Sequence, residues 1–127
     1  MAISPKKKLE SDLSEAFIKL QRDLLGRGPQ ETRTYIVRDM VIARFKGVLT
    51  VEEKHLVENE DGRKLVKKMR QVLREMYSKD FEDIVERCTG CKVLSSHSDI
   101  STKMGERIEV FIVDKDLERC IEIETKG

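Results

Sequence analysis

Apolar positions along this chain recur with two different periods, and the changes of period mark its elements. Leu9, Leu13, Ala16, Phe17, Leu20 and Leu24 fall on one helical stripe, with Lys19, Arg22 and Asp23 outside it. Asp12 and Glu15 place negative charge early in that helix, where the dipole favours it. Gly26 is a stop signal, and Pro29 cannot continue the helix. The period then shortens. Thr34–Arg38 and Met40–Lys46 are rich in β-branched and aromatic residues, and Val41, Ala43 and Phe45 alternate onto one face. The turn candidate between the two strands is Arg38-Asp39-Met40, which makes a tight hairpin or a bulged pair, and Gly47 ends the second strand.

Thr50 and Glu53 form a T-x-x-E capping box, which starts a second helix running to about Glu58. Asn59 to Gly62 breaks it, with Asp61 expected to cap the next helix. That helix, the longest, is predicted from Arg63 to about Arg87, with Leu65, Val66, Met69, Val72, Leu73, Met76 and Tyr77 on one broad stripe and a kink at Ser78–Asp80. Phe81, Ile84 and Val85 resume that stripe, and Thr89-Gly90 closes the helix. Cys91–Ile100 and Glu106–Val113 read as strands around a turn at Lys103–Gly105. In the second strand Ile108, Val110 and Ile112 face one way, and Glu109, Phe111 and Val113 the other. A short helix is expected at Leu117–Cys120. The order α-β-β-α-α-β-β predicts a single α+β domain, a four-stranded, mostly antiparallel sheet with helices packed on one face. Residues 1–8 are expected as a basic flexible arm, 9–118 as the domain and 119–127 as a tail.

Composition narrows the function classes. The chain has 127 residues, 39% hydrophobic and 39% charged, which fits one domain with its own core. No apolar run approaches the ~20 residues of a spanning helix, and the basic N-terminus has no apolar stretch behind it, so a cytoplasmic protein is expected. A net charge of +1 gives no global field toward nucleic acid, and two Tyr, four Phe and no Trp leave few stacking residues. The three cysteines fit reduced thiols.

Candidate chemistry is sparse. Cys88 and Cys91 form a C-x-x-C, a weak metal or redox candidate that sits at a helix end rather than the start that lowers a thiol pKa. Ordinary packed thiols are the simpler reading. His97 and Asp99 share a strand face and could hold a ligand or move a proton, while the neighbouring Ser98 faces away. Arg27 in the Gly26–Pro29 loop could meet an anion, although the loop lacks GK[ST] and comes after a helix. Arg63, Lys64, Lys67, Lys68, Arg70 and Arg74 make the first half of the long helix basic. Asp80, Glu82, Asp83 and Glu86 make its second half acidic. That order opposes the helix dipole, and it reads as an antiparallel homodimer, basic half on acidic half, as a nucleic-acid or acidic-lipid patch, or as a solvated face with no partner.

Three stretches carry a resemblance. GRGPQETRTYIVRDMVIARFKGVLTVEEKHL, DGRKLVKKMRQVLRE and TGCKVLSSHSDISTKMGERIEVFIVDKDLE together resemble the MpsC-like family, named for a Na⁺-translocating membrane potential-generating system. The resemblance spans about Leu9 to Glu118, and Cys88 and Cys91 lie outside its pattern. It implies a small non-enzymatic accessory protein that binds membrane subunits of a cation-translocating complex from the cytoplasmic side. It transfers no catalytic residue and implies no cofactor. The expectation that competes with it is a ligand- or nucleic-acid-binding regulator using the basic helix 63–74 and the 26–29 loop.

Overall fold

Ser4 begins the first helix: its side chain accepts from the Lys7 amide, and Pro5 occupies the first turn. The computed structural model describes residues 3–126. Helix α1 (Pro5–Leu25) therefore includes the residues expected as the end of a loose basic arm, and Lys6 reaches Glu118 at 2.6 Å. Two hairpins and four further helices complete the described residues: β1 (Glu31–Val37), β2 (Met40–Lys46), α2 (Val51–Leu56), α3 (Glu60–Met76), α4 (Ser78–Thr89), β3 (Val93–Ser101), β4 (Glu106–Val113) and α5 (Leu117–Lys126). The four strands form one antiparallel sheet in the order β1-β2-β4-β3. The expected fold class holds.

The sheet has two unlike faces. Thr34, Ile36, Val41, Ala43, Phe45, Glu109, Phe111 and Val113 point inward and are buried beneath helices. Phe17 of α1 sits at the centre of this core. It lies edge-on to Phe45 at 5.9 Å and stacked with Phe81 and Phe111 at 5.9 and 5.7 Å. Phe81, Ile84 and Val85 bring α4 onto the same core, and Leu117 brings α5.

Three details depart from the sequence reading. The long helix is two helices divided at Tyr77. The Ser78 hydroxyl donates to the Arg74 carbonyl at 3.1 Å, a competing bond of the kind that bends helices. Asn59, not Asp61, caps α3 by accepting from the Gly62 amide at 2.8 Å. The stretch after Glu118 is not a tail: α5 runs to Lys126, and Ile121 packs against the core. The turn at Arg38-Asp39 is as short as expected, and Arg38 takes a positive φ of 58° to make it.

Candidate functional site

Helix α3 turns its apolar stripe outward. Gly62, Val66, Arg70 and Arg74, spaced four apart, are buried, Gly62 against α2. Leu65, Met69, Val72 and Met76, at spacings of four, three and four, face solvent, with Leu65 60% and Met76 64% exposed. The periodicity leaves open whether the stripe packs inward. Only Val66, Leu73 and Tyr77 of it do so to any extent.

The reason lies under the helix. Glu109 stands in the middle of β4 on the core face and is completely buried. It accepts from Arg74 Nε at 2.7 Å and from the Ser98 hydroxyl at 2.7 Å, and Arg107 Nε lies 3.7 Å away. The Arg74 guanidinium also rests over the Phe81 ring at 4.6 Å. One turn earlier, Arg70 Nε donates to Glu53 at 2.8 Å, and its Nη2 donates to the Val48 carbonyl at 2.6 Å. A buried carboxylate needs a partner, so Glu109 and Glu53 draw two arginines inward and the helix rotates with them.

Glu53 has two tasks. It closes the capping box, taking the Thr50 amide at 2.8 Å, and it holds α3 to α2 through Arg70. The helices meet so closely that a Cβ on Gly62 would fall 1.7 Å from the Leu56 carbonyl oxygen. Burial pushes the Glu53 carboxyl up, but Arg70 and the Thr50 amide outweigh it and hold it below the ordinary carboxylate range. At Glu109 burial prevails over Arg74, Ser98 and Arg107, and its carboxyl is raised. Burial likewise lowers Arg107, whose Nε has no hydrogen-bond partner.

Beside the outward stripe lies an open groove of about 370 Å³, walled by the end of α1, the 26–29 loop, α2 and α3. Leu25, Val48, Leu56, Met69 and Leu73 make it mainly apolar, and Arg27, Arg70 and Glu53 supply its polar contacts. Gly26 takes a left-handed φ of 77° and closes α1, which aims the loop across the groove. Arg27 is exposed at the rim and approaches the Leu49 carbonyl at 3.5 Å.

The residues singled out in the sequence are thus dispersed. Arg70 and Arg74 are buried and taken by carboxylates, which leaves Arg63, Lys64, Lys67 and Lys68 as the exposed basic set. The basic and acidic halves lie on two separate helices, α3 and α4, rather than on one continuous helix. His97 and Asp99 do share a face, the sheet face opposite the core, far from Arg27 in the topology, while Ser98 points inward to Glu109. Cys88 and Cys91 are free thiols near the end of α4, and burial pushes both up, away from thiolate chemistry. Among the described residues no three His, Cys, Asp or Glu side chains gather to hold a metal ion. Nor is any helix there long and apolar enough to cross a membrane.

Two ion pairs were missed by sequence reasoning. Their signal was present: one glutamate in the aliphatic strand β4, on the face of Phe111 and Val113, and two arginines four residues apart on one helix.

No solved structure matches the chain. It is 38% identical over 114 residues to the uncharacterized protein YbcI of Bacillus subtilis, covering 90% of this chain and 92% of that one. It is 26% identical over 108 residues to the uncharacterized protein YrhF of the same organism, covering 84% and 88%. The model of the Na⁺-translocating membrane potential-generating system family, MpsC, matches residues 5–115, and this chain belongs to that family.

Proposed function

We propose that the chain acts by contact rather than by catalysis, as an accessory protein that docks through the outward stripe of α3 and the groove beside it. The observation that carries this reading is the orientation of α3. Its four apolar residues are 43–64% exposed, and one of them, Met69, lines an apolar groove. Lys64 and Lys68 lie along one side of the stripe, so the surface suits a partner segment that is apolar with an acidic border on that side. The family description, with its membrane-potential-generating system, supports a partner among the membrane subunits of a cation-translocating complex. In this reading the chain works in the cytoplasm, at the inner face of the membrane, and carries no ion itself.

Affinity capture from the native cell tests this, with the wild-type chain and with Met69→Glu after both are shown to fold. Membrane subunits should accompany the wild type and be lost from the variant. Recovery of no membrane subunit with the wild type would overturn the accessory role.

A second reading, a ligand-binding regulator, is favoured by the groove itself: about 370 Å³, mainly apolar, with Arg27 at its rim. An amphipathic acid would fit that chemistry. A chain-length series of fatty acids should then raise the melting temperature of the wild type and not of Arg27→Ala; no shift with any of them would remove this alternative.

A further inference from the structure

The five helices bury their residues on one side of the sheet, and the other side is bare. In an antiparallel sheet with one wet face, that face is ordinarily polar. Here the two central strands display Met40 and Ile42 from β2, and Ile108, Val110 and Ile112 from β4. Tyr35 and Val37 on β1 extend the apolar surface to one edge and are 44% and 41% exposed. Strands of 7–9 residues in four rows span roughly 23 by 19 Å. Two such faces pressed together cover on the order of 900 Å² before side-chain relief is counted, short of the ~1,200 Å² at which specific stable interfaces begin and in the range of weak, concentration-dependent contacts.

We propose that this face is covered by a second copy of the same chain, the two sheets packing as a sandwich about a twofold axis that runs along the strands. The argument for a second copy is self-complementarity. Such an axis reverses the strand order, laying β1 over the partner's β3 and β2 over the partner's β4 while each row of residues stays level. The register then sets apolar residues of the central strands on one another in two rows and basic residues against carboxylates in the other two, with Arg44, held by Glu106 of its own chain, over Ile108 as the exception. In one row Ile42 meets Val110 and Tyr35 meets His97. In the next, Arg33 meets Asp99. In the last, Lys46 meets Glu106. A twofold axis running across the strands does the reverse: it would lay Val37, Met40 and Ile112 on the charged row of Glu31, Lys46 and Glu106. The geometry therefore selects one of the two arrangements, and it gives His97 and Asp99 a place at the edge of an interface. This surface lies on the opposite side of the sheet from α3, so the two contacts are independent.

Sedimentation of the full chain over a concentration series is the direct test. The wild type should pass from monomer to dimer with rising concentration, and Ile42→Glu should stay monomeric while keeping its circular dichroism spectrum. Met69→Glu, on the other side, should dimerise as the wild type does. Arg33→Glu should weaken the dimer several-fold, and Arg33→Glu with Asp99→Arg should restore it. A wild type that is monomeric throughout, or an Ile42→Glu chain that still dimerises, overturns the proposal. Should Ile42→Glu not fold, the double variant Tyr35→Cys with His97→Cys takes its place. Within one chain these positions are three strand spacings apart, about 14 Å, too far for a disulfide. Oxidation with diamide should therefore give a covalent dimer that neither single-cysteine variant gives, and its absence counts against the arrangement.

Discussion

Helices α1 and α3 are both amphipathic, and they use that character in opposite ways. In α1 the apolar stripe is the buried face: Leu13 and Phe17 are wholly enclosed, and the charged residues remain in water. In α3 the apolar stripe is the wet face, and two arginines are enclosed instead. What separates them is the strand surface each helix covers. α1 lies over aliphatic and aromatic side chains. α3 lies where β4 presents Glu109, and a buried carboxylate outranks several methylenes in deciding what must face it. An apolar stripe thus shows that a helix has a dry side and a wet side, and its neighbours decide which is which.

The comparison can be broken at either helix. Phe17→Ala should cost about 3–5 kcal/mol, as large-to-small changes in an aromatic core do. Glu109→Ala should cost a similar ~3–5 kcal/mol, because it strands Arg74 and Arg107 without a carboxylate. Urea denaturation measures both, and a small loss at Glu109 would mean that the arginines do not orient α3. Adding Arg74→Met to Glu109→Leu should recover part of the loss, since an apolar pair can replace an ion pair, while Arg107 stays without its carboxylate.

Gly62→Ala comes next. The added methyl meets the Leu56 carbonyl, and the α2–α3 crossing must open, at about 1–3 kcal/mol by the same denaturation assay. A smaller effect is expected from pH. The Glu53 carboxyl is held down in the fold, so its stabilisation is present above the ordinary carboxylate pKa and is lost as pH falls through the depressed folded value. Glu109, raised, acts with the opposite sign, and its share of stability declines as pH rises through its folded value. Comparing urea midpoints across the acid range for the wild type and Glu53→Gln should therefore show a shallower acid loss in the variant. Least of all, Leu65→Gln and Met76→Gln should change the stability of the isolated chain by no more than ~0.5 kcal/mol. A larger loss would place the α3 stripe inside the fold after all.

Much of this fold was legible because its signals are local. The capping box at Thr50 and Glu53, the glycine ends at Gly26 and Gly90, the turn at Arg38-Asp39 and the alternation in β4 each need only a few neighbouring residues, and all appear where the pattern placed them. The rotation of α3 was not legible in the same way. It depends on Glu109 meeting Arg74 across 35 residues and on Glu53 meeting Arg70 across 17. Periodicity gives each residue a face and leaves the identity of the facing residue open. The same gap hid the groove, which is assembled from four separate segments around Arg27. His97 and Asp99 were correctly put on one face, but only the sheet order showed that this face is the one the helices leave bare.

The order β1-β2-β4-β3 also has a consequence in time. Each hairpin closes over a short loop, whereas the β2–β4 seam joins residues 40–46 to residues 106–112. The loop between those strands must be ordered before the seam is rewarded, so the two halves should form early and meet late. Arg74 lies in the connection between β2 and β3, which that meeting must order, and Glu109 lies in β4. The step that sets the folding rate is then also the step that takes a charged pair out of water, and variants that alter the pair should act on how fast the chain folds as well as on how firmly it holds.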